Sequence, residues 1–283
     1  MRQNSKKHNK HNFNFETNQK SKVKINFQLN SIFLKINQIP IAGKHSILSA
    51  LKNKNRKLYY LITTKENFSK WSEEVSKLKL KLDILVRSKE EIDKINNYKP
   101  HQNAVLVTEP LKRLSMGEFL SNDKFNNSNP IRLIVLDEVT DPQNVGAIFR
   151  SALAFGIDGV ALSKRNSPQE TSALAKASSG AIEKLCIIEL SNMTREIKKL
   201  QSYNFSIYGL AGEGEKNINE LENETGNVAL ILGSEGRGLR RLTRKNVDCL
   251  IKIPINEEAN SLNVSNAASV AMFQLQKNII KNK

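Results

Sequence analysis

The C-terminal half of the chain alternates short apolar runs with segments of helical periodicity. Six apolar runs predict strands, at Ile131–Leu136, Gly159–Leu162, Leu185–Ile188, Phe205–Leu210, Val228–Leu232 and Leu250–Ile255. Helices are predicted between and after them, at Val145–Phe155, Thr171–Ile182, Thr194–Leu200 and Leu262–Ile280. Strands that are apolar on both faces and alternate with helices indicate an α/β fold whose parallel sheet is covered on both sides. In such sheets a ligand binds beyond the carboxyl ends of the strands.

The pattern before residue 131 is less regular and predicts a separate, smaller domain. Apolar residues at helical spacing or in short runs predict helices at Ile47–Leu51 and Phe68–Leu80, and strands at Leu58–Thr63, Leu82–Val86 and Ala104–Val107. We therefore expect a small α/β domain at residues 39–120. The Lys-, Ser- and Asn-rich residues 121–130 are predicted to link it to a second domain at residues 131–283.

The charge of the chain is concentrated in the same N-terminal part. Residues 1–130 contain 25 Lys and Arg against 11 Asp and Glu, whereas residues 132–283 contain 19 against 17. Residues 1–38 hold eight basic side chains and one acid and are predicted to form a disordered basic arm. A general preference for Lys and Asn in the proteome would also raise the charge. The asymmetry between the halves favours a nucleic-acid partner, because neutralised phosphates release counterions.

The composition argues against several classes of protein. No apolar run approaches the roughly eighteen residues of a membrane span. The two cysteines, Cys186 and Cys249, form no C-x-x-C pair, which argues against a disulfide framework or zinc site and favours a reducing, cytoplasmic setting without a metal. All four His precede residue 131, so the second domain cannot supply the base of a Ser-His or Cys-His nucleophile system.

The first of three informative motifs follows the strand at Ile131–Leu136. It runs D-E-V-T-D-P-Q-N-V-G-A-I-F-R from Asp137 to Arg150. Asn144 is predicted to cap the following helix, and Arg150 falls off the apolar stripe of that helix. Taken alone, Asn144 could be an ordinary cap and Arg150 a solvated charge.

The second motif, G-S-E-G-R-G-L from Gly233 to Leu239, directly follows another predicted strand. Its glycines permit close approach of the backbone to a ligand, but they match neither the dinucleotide nor the P-loop fingerprint. Glu235 has no evident structural role in this loop. Basic residues lie in this loop and directly after it and predict a contact with a nucleic-acid strand: Arg237, Arg240, Arg241, Arg244 and Lys245.

The third motif extends from Ile253 to Ser269 and leads into the last helix. Ser261 is predicted to cap that helix, which places Asn263 and Ser265 in its first turn, where unpaired N–H groups can bind a carboxylate. The three motifs together predict a glycine-lined pocket surrounded by Arg, Glu and Asn. Polar positioning of this kind suits a transfer reaction whose donor is already activated, such as a sulfonium.

With these motifs in this order, the chain resembles the SpoU (TrmH-type) branch of the SPOUT RNA methyltransferases. Residues Ile41–Leu51 and His101–Gln102 also resemble the opening helix and closing strand of the substrate-binding module of the 23S rRNA guanosine 2′-O-methyltransferase subfamily. The resemblance covers about residues 40–280. It implies a parallel-sheet SPOUT domain with a C-terminal trefoil knot, S-adenosyl-L-methionine as methyl donor, rRNA as substrate, and a homodimer packed through the last helix and the motif loops.

The resemblance also implies roles for individual residues. Asn144, Arg150, Glu235 and Asn263 match its catalytic positions. The donor pocket corresponds to the backbone around five residues: Ala211, Gly212, Gly233, Ile253 and Leu262. Because arginine is a poor base, we expect Arg150 to stabilise the developing alkoxide, oriented by Glu235 and Asn263.

Two departures from the subfamily pattern bear on which nucleotide is methylated. Asn103 stands where the subfamily usually has Gly, and Glu257 and Glu258 occupy a loop usually lined with small residues. Three alternatives stay open. A tRNA 2′-O-methyltransferase is disfavoured by the N-terminal module, which the tRNA enzymes of this branch generally lack. A non-catalytic RNA-binding factor is disfavoured by the intact motifs, and a nicotinamide oxidoreductase by the missing fingerprint.

Overall fold

The computed structural model describes residues 34–122, 130–165 and 167–281, with the side chains of the last helix described as far as residue 276. The predicted arm at residues 1–38 and the predicted linker at residues 121–130 lie almost entirely outside these ranges. The described residues form two sheets, one of four strands and one of eight.

The four-stranded sheet defines the N-terminal domain, residues 39–108. Its strands are β1 (Ile39–Ala42), β2 (Leu58–Thr63), β3 (Asp83–Val86) and β4 (Ala104–Thr108), in the order β1-β4-β2-β3. Its helices are α1 (Lys44–Lys52), α2 (Lys65–Lys77) and α3 (Lys89–Ile95). Apolar residues of α1 and α2 cover one face of the sheet and those of α3 cover the other. The sequence pattern predicted α1, α2, β2, β3 and β4, and missed the short β1 and α3.

The eight-stranded sheet defines the C-terminal domain, residues 114–281, and every pairing in it is parallel. Its strands are β5 (Leu114–Ser115), β6 (Arg132–Asp137), β7 (Gly159–Ser163), β8 (Cys186–Leu190), β9 (Phe205–Leu210), β10 (Lys216–Asn217), β11 (Asn227–Gly233) and β12 (Cys249–Lys252). They lie in the order β10-β12-β9-β11-β6-β7-β8-β5. The predicted parallel sheet is therefore confirmed.

Helices cover both faces of this sheet. They are α4 (Met116–Leu120), α5 (Pro142–Ala154), α6 (Ser172–Ala177), α7 (Met193–Ser202), α8 (Arg241–Asn246) and α9 (Val264–Lys281). Alternate residues of the central strands point to opposite faces, so one core contains side chains of α5, α6 and α9 and the other contains those of α4 and α7. No helix within the described ranges is long and apolar enough to cross a membrane.

Two predicted boundaries are wrong. The first domain does not extend to residue 120, because β5 pairs with β8 and Phe119 of α4 is buried in the core of the large sheet. The helix predicted at Thr171–Ile182 is interrupted after α6, since Ser179 and Gly180 have φ of 50° and 83°. The left-handed conformation ends an α-helix, and the chain continues as a short 3₁₀ helix at Ala181–Glu183.

Candidate active site

The three motifs follow strands that lie side by side in the middle of the large sheet. β12, β9, β11 and β6 are consecutive neighbours and run parallel, so their carboxyl ends share one edge. The first motif follows β6, the second follows β11 and the third follows β12. The turn at Ala211–Gly214 follows β9. The topology therefore brings together residues that are more than 100 positions apart in sequence.

Three of the four predicted catalytic residues form one hydrogen-bonded network. Asn144 Nδ2 donates to Glu235 Oε1 at 3.0 Å, and Asn263 Nδ2 donates to the same oxygen at 2.6 Å. Asn263 Nδ2 also donates to Asn144 Oδ1 at 3.0 Å. Glu235 and Asn263 are exposed and Asn144 is half-buried. One carboxylate oxygen is thus held by two amides at the open end of the sheet.

Asn144 is available for this network because a different residue caps α5. The Asp141 carboxylate accepts from Gln143 N and Asn144 N, both at 3.2 Å, and Pro142 occupies the first helical turn. The prediction that Asn144 caps the helix is wrong. The sequence signal for Asp141 was the Asp-Pro pair itself, since proline is favoured at the first position of a helix and aspartate immediately before it.

Asn263 fulfils the capping role that was predicted for Ser261. The last helix begins at Val264 and not at Leu262, and Asn263 Oδ1 accepts from Ser265 N at 2.8 Å and from Ser265 Oγ at 2.5 Å. The oxygen of this amide therefore holds the start of α9, while its nitrogen binds Glu235. Because a side-chain amide carries an acceptor and a donor, one residue can do both.

The second motif folds into a tight loop that presents Glu235 at its tip. Gly238 N donates to Ser234 O at 2.9 Å, and Gly236 and Gly238 have φ of 81° and 64°. A Cβ added to Gly233 would lie 2.1 Å from the carbonyl carbon of Gly238. The loop therefore requires glycine to close on itself.

Two arginines of the basic cluster anchor this loop. Arg240 Nε donates to Asp137 Oδ1 at 2.6 Å and its backbone N–H donates to Oδ2 at 3.1 Å, and Asp137 is fully buried. Arg244 forms an ion pair with Glu213 and donates to Leu239 O at 2.9 Å. A charged residue at the end of an apolar strand, such as Asp137, was the available signal, since a buried carboxylate requires a partner.

The remaining basic residues of the cluster are free of such contacts. The side chains of Arg237, Arg241 and Lys245 are exposed and form no hydrogen bond or ion pair with any residue that the structure describes. They lie beside the loop that carries Glu235. The cluster predicted from the sequence is therefore divided into two anchors and three cations that face solvent.

Arg150, the fourth predicted catalytic residue, lies apart from the network. It follows Asn144 by six residues on α5, which places it about 9 Å further along the helix axis and about 120° around it. It is exposed and has no partner among the described residues. The expected contacts of Glu235 and Asn263 with Arg150 do not occur within the chain, because those two residues bind each other and Asn144.

The five predicted pocket residues lie at three neighbouring strand ends. Ala211 and Gly212 follow β9, Gly233 ends β11, and Ile253 and Leu262 follow β12. Ala211 N donates to Ile251 O at 2.9 Å, which ties the ends of β9 and β12 together. A Cβ added to Gly212 would meet no atom within 4 Å, and Leu262 is 39% exposed. The open space beside Gly212 and the apolar side chain of Leu262 would fit an uncharged ring system.

Across the described ranges, no three His, Cys, Asp or Glu residues are grouped as metal ligands.

Both domains match family models. Residues 132–273 match the SpoU rRNA Methylase family, and residues 40–114 match the RNA 2′-O ribose methyltransferase substrate-binding family. The chain is 34% identical to the 23S rRNA (guanosine-2′-O-)-methyltransferase RlmB of Pasteurella multocida, over 83% of this chain and 96% of that protein. It is 37% identical to RlmB of Coxiella burnetii, over 70% of this chain and 78% of that protein.

The fold is also similar to that of solved structures. The SpoU methyltransferase AviRb from Streptomyces viridochromogenes, crystallised with AdoMet, superposes with a TM-score of 0.74 and 18% identity, covering 87% of this chain and 91% of that one. At 18% identity, this similarity to AviRb shows only that the two chains share a fold. The assignment depends on the two matched domains and on the relatives that share more than a third of their residues across most of both chains. By these matches, the protein belongs to the SpoU rRNA methylase family.

Proposed function

We propose that the protein transfers a methyl group from S-adenosylmethionine to the ribose 2′-hydroxyl of a guanosine in 23S rRNA. The observation that carries this proposal is the Asn144–Glu235–Asn263 network at the shared edge of four parallel strands. The substrate assignment is supported by the activity named for the relatives in Pasteurella multocida and Coxiella burnetii. The domain that matches the RNA 2′-O ribose methyltransferase substrate-binding family supports an RNA substrate.

The proposed donor pocket consists of the loop ends after β9, β11 and β12. The open side of Gly212 and the exposed Leu262 fit an adenosine, and the backbone at Gly233 and Ile253 can meet its polar edges. The AviRb structure, which has the same fold, contains AdoMet. When bound, the sulfonium supplies a methyl group that is already activated, so the protein has to position the attacking oxygen and not to generate a nucleophile on a side chain.

The network has the chemistry to position that oxygen. Two amides hold Glu235 Oε1, which leaves Oε2 free to accept a hydrogen bond from the RNA. As the 2′-oxygen attacks the methyl group, the O–C bond would form, the S–C bond would break to leave S-adenosylhomocysteine, and the hydroxyl proton would be released to water. The negative charge that develops on the oxygen requires a cation nearby, and we assign that role to Arg150.

We further propose that the protein acts as a homodimer through an apolar face formed by α5 and α9. Leu153, Val270 and Phe273 are 38%, 43% and 51% exposed, although the ring of Phe273 contacts Phe155 with centroids 6.0 Å apart. Large apolar side chains grouped in this way typically mark an interface. Arg150 lies one helical turn before Leu153, at the rim of this face. We propose that dimerisation brings Arg150 of one chain towards the network of the other.

The trefoil knot implied by the resemblance is also proposed. In the sheet, β12 lies on the side of β9 away from β11. The path that the chain takes after β12 supports the knot. The following helix, α9, returns past β11 to pack on α5.

We place the reaction in the cytoplasm, since that is where ribosomal RNA would be met as a substrate.

The test is to incubate the purified full chain with labelled S-adenosylmethionine and separate 23S rRNA and tRNA. We expect label in the rRNA, recovered as 2′-O-methylguanosine by nucleoside mass spectrometry. Calorimetry should show binding of S-adenosylhomocysteine and no binding of NADH. Label confined to tRNA would overturn the substrate, and donor binding without transfer to any RNA would favour a non-catalytic RNA-binding factor.

A further inference from the structure

A buried cluster of charges joins the two domains. Arg56 lies in the turn between α1 and β2 of the N-terminal domain, and its guanidinium pairs with Glu170 and lies 3.2 Å from Glu183. The side chains of Arg56, Glu170 and Glu183 are 0%, 6% and 2% exposed. Glu170 precedes α6 of the C-terminal domain and Glu183 follows it. One arginine therefore links the N-terminal domain to both ends of α6.

The contacts around this cluster are short and directional. Ser46 Oγ donates to Ala175 O at 2.9 Å, and Asn53 Nδ2 donates to Glu183 O at 3.2 Å and to its Oε2 at 2.9 Å. A Cβ added to Gly180 would lie 2.1 Å from Ser49 Oγ. Ala175 is itself part of the core of the N-terminal domain. These contacts define the arrangement of the two domains in the structure.

The end of α6 also contacts α5, the helix of the first motif. A Cβ added to Gly146 of α5 would lie 2.4 Å from Ala177 Cβ and 2.9 Å from Ser178 N. Asn144 lies two residues before Gly146. A continuous series of close contacts therefore runs from α1 through α6 to the residue that holds Glu235.

Stability alone is a weak reason to bury these charges. Removing ions from water is costly, and apolar side chains of similar volume commonly stabilise a fold as well or better. Burial raises the pKa of Glu183, and the nearby Glu170 raises it further, against the opposing effects of Arg56 and Asn53. In some proteins, buried polar and ionic groups instead fix one relative geometry of the elements that carry them.

We propose that Arg56 is a positioning residue: together with Glu170 and Glu183 it fixes the RNA-binding domain relative to the methyl-transfer site and so selects the nucleotide that reaches the donor. This role rests on the proposed function. RNA held by the N-terminal domain presents its target nucleotide at a distance that the domain orientation sets. Misorientation should therefore alter RNA affinity and the choice of nucleotide, and leave the donor pocket intact.

The test uses the full chain with the cluster neutralised, Arg56→Met/Glu170→Gln/Glu183→Gln. Removing all three charges avoids the unpaired buried carboxylates that Arg56→Met alone would leave. We expect KM for a 23S rRNA fragment to rise by about tenfold and kcat to fall less, with methyl groups found on neighbouring nucleotides. The Kd for S-adenosylhomocysteine should stay within about twofold.

The matched control is Lys57→Met at the adjacent position. Lys57 pairs with Glu109 at 3.5 Å, but both side chains are exposed, at 61% and 39%, so this variant should keep the methylation pattern and the domain orientation of the unaltered chain. Small-angle scattering should show a broader distance distribution for the neutralised variant than for either of these proteins.

Two results would overturn the positioning role. One is a neutralised variant that binds S-adenosylhomocysteine normally and methylates the same nucleotide with unchanged KM and scattering. The other is a neutralised variant that loses donor binding together with its folded structure, since the cluster would then serve stability. If the unaltered chain methylates no rRNA, the proposed function fails instead, and scattering still reports whether the cluster fixes the domain orientation.

Discussion

The separation of Arg150 from the Asn144–Glu235–Asn263 network predicts that each active site is shared between two chains. Arg150 is on another side of α5 from Asn144 and has no partner among the described residues. It lies at the rim of the apolar face through which we propose dimerisation. The perturbation that tests this arrangement is to place Arg150→Ala on one chain and Glu235→Ala on the other.

The size of the effect follows from two-fold symmetry. Each single variant should lose about 10²-fold or more of its transfer rate as a homodimer, because every site lacks a charged group. In the mixed dimer, one site combines the intact network of one chain with the intact Arg150 of the other. The second site lacks both groups, so the mixed dimer should recover about half of the unaltered rate.

The assay is methyl transfer to 23S rRNA by dimers co-expressed with two affinity tags and purified through both. The control pairs an unaltered chain with one that carries both substitutions. If sites are shared, that dimer has no complete site and stays inactive. If each chain uses its own Arg150, the outcomes are reversed: the control retains about half of the rate and the mixed dimer is inactive, which would refute the reasoning.

Two further predictions concern the charged residues. Arg240→Gln should lower the free energy of unfolding in urea by about 1–3 kcal/mol because the buried Asp137 loses its charged partner, whereas Arg241→Gln should change it by less than about 0.5 kcal/mol. Arg241→Gln should instead weaken RNA binding and reduce the salt slope by about 1, and the converse pattern would contradict the division of the cluster. Deleting residues 1–38, which removes eight basic side chains and one acid, should make the salt dependence of RNA binding shallower without changing donor affinity. An unchanged slope would show that this segment contributes nothing to binding.

The sequence was sufficient to predict the sheet and the neighbourhood of the site. Apolar runs such as Val228–Leu232 are long enough to require burial on both faces, and burial on both faces requires the parallel sheet that the structure has. Because parallel strands end at one edge, motifs after β6, β11 and β12 had to converge. Asn144, Glu235 and Asn263 were therefore identifiable before their contacts were known.

What the sequence could not predict is which partner each polar residue takes. Asn144 and Asp141 are both good helix caps, and the choice between them depends on Pro142 and on the position of Glu235, 91 residues away. Arg240 and Arg241 are identical in type and adjacent, yet only Arg240 faces the buried Asp137. The Arg56 cluster has no local signal at all, because it exists only once the two domains are packed together.

Asn103 shows how a departure from a family pattern can preserve a conformation. It stands where the related subfamily usually has Gly, and its φ of 57° is left-handed, a region that Gly and Asn adopt most readily. In this conformation Asn103 O accepts from Thr63 Oγ1 at 3.0 Å and Asn103 N donates to His101 Nδ1 at 3.0 Å. His101–Gln102, which resemble the closing strand of the subfamily's module, thus lie with Asn103 in the turn before β4.

We therefore expect Asn103→Gly to be nearly neutral. Glycine removes the strain of a Cβ at positive φ but increases the entropy of the unfolded chain, and the two effects are each about 0.5–1 kcal/mol and opposite in sign. Asn103→Ala keeps the Cβ and loses the tolerance of asparagine, so it should lower the free energy of unfolding by about 1 kcal/mol. Urea unfolding of both variants, with rRNA affinity measured alongside, distinguishes the two cases. If Asn103→Gly instead weakens rRNA binding at unchanged stability, the side chain of Asn103 contacts the substrate, and its backbone conformation is not the reason for its presence.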